Sequence, residues 1–178
     1  MASIFQGVWP ALITPLDRDG KPAFDVLEAL TDRLAQDKLD GLYVIGSTGQ
    51  WPLFTREERM AIAERVIKAA AGRIPVMVHV GAVSTQDAVE LARHAQRTGA
   101  QAVSSVAPIY FGHPPAAVFE HYRRIGEAGG LPLFVYHLSG VSQLSMPPAE
   151  FAKRLRDLPN IGGMKFTDHD LNALALLP

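Results

Sequence analysis

Short apolar runs alternate along this chain with longer amphipathic stretches. The runs are apolar at nearly every position and rich in Val and Ile, which is typical of strands buried on both faces of a parallel sheet. Successive runs begin about 30 residues apart, the usual length of a βα unit. We therefore predict six strands, at residues 8–16, 42–46, 76–81, 102–107, 133–138 and 161–166.

The amphipathic stretches place apolar residues at helical spacing along one face. Thr55 followed by Glu58 predicts a capping box at the start of the second helix, and Gly72 predicts its end. Pro148 suits the first turn of the last helix. The predicted helices are residues 24–36, 56–71, 86–97, 116–127 and 148–156.

Repeated βα units without a break in composition predict a single α/β domain, residues 1–178, built on a parallel sheet. An open doubly wound sheet and a closed barrel both fit this pattern. The Gly-rich fingerprint of a dinucleotide-binding sheet is absent after the first strand, where Asp17-Arg18-Asp19-Gly20 suits an ordinary turn. This absence favours a (β/α)8 TIM barrel.

Such a barrel needs eight units in about 250 residues. We therefore expect an incomplete barrel of about six units without strands seven and eight, and expect the 178-residue chain alone to be inactive or unstable.

Charge and cysteine content narrow the expected partners. The formal net charge is −1 with acids and bases interspersed, which gives no reason to expect nucleic acid or an anionic membrane. We therefore expect a small-molecule partner. The absence of cysteine excludes disulfides and suits a cytoplasmic location. Residues 1–16 lack the basic start of a signal peptide, and no run approaches the length of a membrane span.

Lys165 is a lone lysine within the last apolar run. Burying an ammonium costs several kcal/mol unless it is paired, and the usual outcome is a lowered pKa, which leaves a neutral amine able to attack a carbonyl. Thr167 shares its face because strand side chains alternate with a period of two. A lysine that reaches solvent along an apolar surface is the alternative.

Polar residues also end the other predicted strands, which is where a barrel carries its active site. The turn of Gly46, Ser47, Thr48 and Gly49 offers hydroxyls and backbone N–H groups that suit a carboxylate, although ordinary turns have the same composition. Tyrosines near strand ends are either proton donors or packed rings. The strand ends carry Ser47, Thr48, Tyr110, Tyr136, His137, Lys165 and Thr167.

His79 and the run Asp168-His169-Asp170 have simpler interpretations than a functional site. His79 lies within the third predicted strand and is expected to be a core histidine. The run Asp168-His169-Asp170 could bind a metal, as in a metal-dependent aldolase. Because consecutive side chains diverge, we favour a loop that leads to a helix N-cap at Asp170.

The strand-end motifs together resemble the N-acetylneuraminate lyase and dihydrodipicolinate synthase family of class I pyruvate-dependent aldolases. The resemblance rests on Gly46-Ser47-Thr48-Gly49, Pro108-Ile109-Tyr110, Tyr136 and Gly162-Gly163-Met164-Lys165-Phe166-Thr167, and it extends from residue 7 to about residue 170. It implies a (β/α)8 barrel, a homo-oligomer, and covalent chemistry on a 2-oxo acid such as pyruvate, without a metal or other cofactor.

The resemblance also implies a role for each residue. Lys165 forms the Schiff base, and Tyr136 donates and accepts the proton, with Thr48 and Tyr110 as its relay. In this family that relay tyrosine commonly comes from a neighbouring subunit. Ser47 and Thr48 bind the substrate carboxylate, and Thr167 faces the rest of the substrate. His137, at the end of the Tyr136 strand, is added as a candidate substrate contact.

Within the family, the Gly-Ser-Thr-Gly turn and the Lys-Phe-Thr sequence resemble the N-acetylneuraminate lyases. Dihydrodipicolinate synthases usually carry an arginine shortly after the tyrosine, and residues 137–142 contain none. Gln50 and Ser139 depart from the family's usual glutamate and proline. We therefore expect a carbon–carbon lyase that acts on a 2-oxo acid such as N-acetylneuraminate. The alternatives are a 2-keto-3-deoxy sugar acid aldolase or dehydratase, a dihydrodipicolinate synthase-like enzyme, and an inactive barrel fragment.

Overall fold

The computed structural model describes residues 4–138, 140–141 and 146–175. Ser139, at which we noted a departure from the family pattern, lies outside the described residues. The chain forms two compact units, and each is described by itself. The first unit comprises Met1–His79 and His94–Gln101, and the second comprises Val80–Arg93 and Ala102–Pro178. The single domain at residues 1–178 remains a prediction.

The first unit contains two parallel strands and two long helices. In chain order its elements are α1 (Phe24–Gln36), β1 (Leu42–Val44), a short 3-10 helix (Trp51–Leu53), α2 (Arg56–Ala70) and β2 (Val76–His79). Both strands are buried at every position, as their continuous apolar sequence predicts. The predicted capping box is confirmed, since the Thr55 side chain accepts from the Glu58 backbone and the Glu58 side chain accepts from the Thr55 backbone.

The second unit contains three parallel strands with helices between them. Helix α3 (Thr85–Thr98) contributes residues to both units, and β3 (Ala102–Val106), α4 (Pro115–Gly129), β4 (Leu133–Leu138), α5 (Pro148–Leu155), β5 (Ile161–Thr167) and α6 (Leu171–Ala175) follow. Strand β4 pairs in parallel with both β3 and β5. The carboxyl ends of β4 and β5 therefore lie side by side, as the βα repeat predicts.

The predicted strand at residues 8–16 is wrong. The segment makes one isolated parallel bridge, Ala11 with Tyr43, instead of a continuous ladder. Pro10 and Pro15 carry no N–H and cannot donate to a neighbouring strand. Val8 and Ile13 are mostly exposed, so the segment is not buried on both faces. The apolar composition suits a strand, but the prolines limit the pairing with β1 to one isolated bridge.

The other predicted strands and helices are confirmed to within two residues at each end. His79 is fully buried as predicted, and its ring lies 5.3 Å from the Trp51 ring, centroid to centroid. None of the helices in the described part of the chain is both long and apolar enough to cross a membrane.

Candidate active site

Lys165 and Tyr136 face each other across the β4–β5 pair. The two residues are direct partners in the strand register, and the Lys165 Nζ atom lies 3.9 Å from the centroid of the Tyr136 ring. Tyr136 is almost fully buried, and Lys165 is half-buried. An ammonium or amine over an aromatic face in a partly desolvated site is an interaction that orients the lysine end group.

Burial lowers the pKa of the Lys165 amine from its ordinary value of 10.5. Tyr136 acts in the opposite direction, through its electrostatic interaction and a hydrogen bond with the amine, but the effect of burial is larger. A lysine with a lowered pKa is neutral in a larger fraction of molecules near neutral pH, and a neutral amine is a nucleophile. The structure therefore gives Lys165 the property that its sequence setting predicted.

Two glycines allow β5 to run closely past the Phe134 ring. A Cβ atom at Gly162 would lie 2.8 Å from Phe134 Cε2, and one at Gly163 would lie 2.8 Å from Phe134 Cε1. The ladder also shifts register between Leu133 and Phe134. The glycines before Lys165 thus fill a packing requirement, since any larger side chain would push β5 away from β4.

Thr167 and His137 lie near the pair formed by Lys165 and Tyr136. His137 directly follows Tyr136 on β4, and Thr167 comes two residues after Lys165 on β5. Thr167 ends β5, is exposed and pairs in register with Leu138. His137 pairs in register with Phe166, and the two rings are stacked with centroids 5.0 Å apart. The His137 Nε2 atom donates to Asp168 Oδ2 over 3.1 Å. Both residues' predicted contacts with substrate remain predictions.

Ser47 and Thr48 belong to the first unit, where both are exposed in the turn after β1. Ile45 begins this turn with a φ of 59°, an unusual conformation for a β-branched residue. The buried Thr14 hydroxyl donates to the Gly49 carbonyl over 2.9 Å and ties the turn to the preceding segment. The turn thus presents two hydroxyls on an anchored backbone, which suits the predicted carboxylate contact.

Tyr110 lies in the loop after β3 and is 82% exposed. Its backbone is left-handed, with a φ of 83°, and its ring makes an edge-on contact with the Phe111 ring at 4.8 Å between centroids. Phe111 is also largely exposed. The predicted relay role of Tyr110 remains a prediction, and the two rings form an exposed aromatic pair.

The run Asp168-His169-Asp170 has the loop geometry that we favoured over a metal site. The Asp168 Oδ1 atom accepts from the Asp170 backbone N–H over 3.1 Å, and α6 begins directly afterwards. No group of three or more His, Asp or Glu side chains in the described residues is arranged to hold a metal ion. The sequence did not predict the hydrogen bond between His137 and Asp168. His137 directly follows Tyr136 on β4, and Asp168 comes three residues after Lys165, just after the end of β5. Their positions at the ends of consecutive parallel strands were the available signal.

Nearly the whole chain is similar to solved structures of enzymes. One is the N-acetylneuraminate lyase of Proteus mirabilis, with a TM-score of 0.90, 30% identity and coverage of 96% of this chain and 59% of that one. Another is the dihydrodipicolinate synthase of Aquifex aeolicus, with a TM-score of 0.90, 28% identity and coverage of 97% and 59%. The predicted α/β class is confirmed, and the chain corresponds to part of a (β/α)8 barrel.

The family follows from a second comparison. The profile of the dihydrodipicolinate synthetase family matches residues 4–177, and the chain belongs to this family. Curated relatives include the 4-hydroxy-tetrahydrodipicolinate synthases of Bacillus velezensis, 35% identical over 92% of this chain, and Phenylobacterium zucineum, 37% identical over 94%. The chain spans 56% of the length of each. The resemblance noted in the sequence is thus confirmed at the level of the family.

Proposed function

We propose that the protein is a Schiff-base-forming, pyruvate-dependent aldolase, a carbon–carbon lyase. The observation that carries this proposal is the Lys165 amine, which has a lowered pKa and lies 3.9 Å from the centre of the buried Tyr136 ring. A neutral amine attacks the keto carbon of a 2-oxo acid to give a carbinolamine, and uptake of one proton with loss of water then gives a protonated imine. The imine accepts the electron pair that is released when the adjacent carbon–carbon bond breaks.

Proton transfer is the second requirement of this reaction. Tyr136 is the candidate acid and base because it is the register partner of Lys165 and its side chain contacts the amine. We assign the substrate carboxylate to Ser47 and Thr48, by the family resemblance and by their two exposed hydroxyls. Thr167, exposed at the end of β5, is the candidate contact for the rest of the substrate. No metal or other cofactor is part of this proposal.

For the substrate, we propose a 2-oxo acid such as N-acetylneuraminate. The Gly-Ser-Thr-Gly turn, the Lys-Phe-Thr sequence and the absence of arginine at residues 137–142 support this choice. A structural relative at a TM-score of 0.90 is named N-acetylneuraminate lyase. The curated relatives' name favours a second candidate, a synthase that condenses pyruvate with an aldehyde. Release of pyruvate from N-acetylneuraminate by the full-length protein distinguishes the two.

We also propose a homo-oligomer in the cytoplasm. The exposed Tyr110–Phe111 pair supports an interface, because two large aromatic rings left in solvent are costly and are typical of protein contacts. The proposed interface is tested by comparing the sedimentation of the full-length protein with that of a variant that carries both Tyr110→Ser and Phe111→Ser. A species that dissociates in the variant agrees with the proposal, and an unchanged sedimentation coefficient contradicts it.

Borohydride reduction in the presence of pyruvate tests the chemistry directly. We expect an irreversible pyruvate adduct on the peptide that contains Lys165, and no adduct in Lys165→Met. Lys153→Met is the matched control, because Lys153 is an exposed lysine on α5. An adduct that persists in Lys165→Met, or no adduct in the unsubstituted protein, would refute the proposed function.

A further inference from the structure

His137 and Asp168 connect the two strands that carry Tyr136 and Lys165. The His137 Nε2 atom donates to Asp168 Oδ2 over 3.1 Å, and the two side chains are only 21% and 19% exposed. His137 directly follows Tyr136 on β4, and Asp168 follows the last residue of β5. The hydrogen bond therefore crosses the gap between β4 and β5 at their carboxyl ends.

A ring contact supports the same connection. His137 and Phe166 are register partners, and their rings are stacked at 5.0 Å between centroids with an angle of 18° between their planes. Neighbouring residues of a strand point to opposite faces. His137 and Phe166 therefore lie on one face of the β4–β5 pair, and Tyr136 and Lys165 lie on the other.

Asp168 is a fixed acceptor. Its Oδ1 atom takes the backbone N–H of Asp170 while its Oδ2 atom takes the His137 ring N–H. The Asp170 backbone N–H and then the His137 side chain lower the pKa of the Asp168 carboxyl, which keeps it ionised at neutral pH. A hydrogen bond to an ionised acceptor is among the stronger ones in proteins.

The pairing of β4 with β5 is irregular at its amino end and regular at its carboxyl end. The register shifts between Leu133 and Phe134, whereas the pairs from Tyr136 with Lys165 to Leu138 with Thr167 follow one another without a shift. The hydrogen bond between His137 and Asp168 therefore lies at the regular end of the pairing, next to Tyr136 and Lys165.

We propose that His137 and Asp168 form a positioning clamp, which holds the carboxyl ends of β4 and β5 together so that the Lys165 amine stays over the Tyr136 ring. The role rests on the proposed function. His137 is then a positioning residue that acts through the strands, in addition to or in place of a contact with substrate. Without the clamp, β5 moves away from β4, water reaches the amine, and the neutral form becomes rarer at neutral pH.

The test is the pH dependence of imine formation in the full-length protein, measured by borohydride trapping with pyruvate. His137→Phe keeps an aromatic ring against Phe166 but cannot donate to Asp168. We expect its pH midpoint to rise by at least about one unit, because the amine loses part of its burial. His137→Gln places an N–H donor near the position of Nε2. We expect this variant to keep the midpoint of the unsubstituted protein.

Two further variants separate the clamp from a general effect on folding. Asp168→Ala removes the acceptor and is expected to raise the midpoint as His137→Phe does, with no further rise in the double variant. If His137→Phe fails to fold, the midpoint of Asp168→Ala alone tests whether the hydrogen bond positions the Lys165 amine. His169→Phe is the matched control, since His169 is the exposed neighbour of Asp168, and its midpoint is expected to be unchanged.

Different outcomes refute different statements. An adduct in the unsubstituted protein with an unchanged midpoint in His137→Phe or Asp168→Ala overturns the clamp and leaves the proposed function intact. An equal rise in His137→Gln and His137→Phe also overturns it, because the hydrogen bond is then irrelevant. No adduct in the unsubstituted protein overturns the proposed function and the clamp with it.

Discussion

The Lys165 amine lies over the face of the Tyr136 ring, with Nζ 3.9 Å from the ring centroid, because the two residues are paired in the register of β4 and β5. The pairing brings together residues that are 29 positions apart in the sequence (165 minus 136). It places a partly desolvated amine against a buried phenol. The reactivity of Lys165 therefore depends on how β5 pairs with β4.

Imine formation should rise with pH through a midpoint below 10.5. Lys165 is protonated and unreactive below its pKa and neutral above it, and burial lowers that pKa from the ordinary value of 10.5. The rate of borohydride-trapped adduct formation with pyruvate, measured from pH 6 to about 10, gives the midpoint. The same reaction of N-acetyl-lysine amide is the reference. A protein midpoint equal to that of the reference would contradict the burial of the amine.

Tyr136→Phe should separate imine formation from proton transfer. The variant keeps the ring beneath Lys165 but loses the hydroxyl, so the adduct with pyruvate should still form. Exchange of the pyruvate methyl protons in heavy water, followed by NMR, should slow by roughly 10²–10⁴-fold, the usual contribution of a general acid–base group. Exchange at the unsubstituted rate would show that another group moves the proton.

Stability should fall as the pH falls from about 6.5 to about 4, in part because of His121. Burial, with smaller contributions from His113 and Arg124, lowers the pKa of His121 from 6.5 to about 4. The unfolded chain therefore binds a proton in this window that the folded chain does not bind, so His121 costs stability as the pH falls, by roughly 3 kcal/mol when the window is crossed.

The hydrogen bonds of His121 agree with a neutral ring. The Ser105 hydroxyl donates to the Val106 carbonyl, so it accepts from Nε2 of His121, and the Thr85 hydroxyl then donates to Nδ1. His121→Asn removes the titration. Urea unfolding at several pH values should show a shallower dependence in the variant than in the unsubstituted protein. Two parallel curves would contradict the assignment.

Gly162→Ala should lower the free energy of unfolding by about 1–3 kcal/mol, the usual cost of overpacking. The added Cβ would lie 2.8 Å from both Phe134 Cε2 and Pro132 Cβ. Phe134→Leu in the same chain should relieve part of this strain, so the double variant should be more stable than the sum of the two single effects predicts. Denaturant unfolding of the three variants measures the coupling, and strict additivity would show that the ring is not the obstacle.

The elements with a strong local signal could be predicted from the sequence. Helix α2 begins at the predicted capping box because Thr55 and Glu58 are three residues apart and need no distant partner. Strand β4 occupies the predicted residues 133–138 because its largely apolar run suits a strand that is covered by other elements, and no residue of the strand is exposed. Residues 8–16 carry the same apolar signal, but two prolines limit their pairing, so apolar composition alone overpredicts a strand there.

The candidate site was predicted in its residues but not in its contacts. An isolated lysine in an apolar run, with polar residues at neighbouring strand ends, indicated chemistry at Lys165. Tyr136 was one of those strand-end residues, and the family resemblance implied its role in proton transfer. The hydrogen bond of His137 to Asp168 and the network around His121 could not be predicted in this way, because each joins residues from separate elements.

The sequence by itself determined the βα repeat, the family and the identity of the proposed nucleophile, since these depend on local periodicity and on motifs within single segments. The tertiary structure decided the contacts that set reactivity. The depth of Lys165, its distance from Tyr136 and the connection from His137 to Asp168 depend on the register of β4 and β5 and on the glycines that let β5 pass Phe134. Register is a relationship between strands, and burial is its consequence, so neither is present in a single segment.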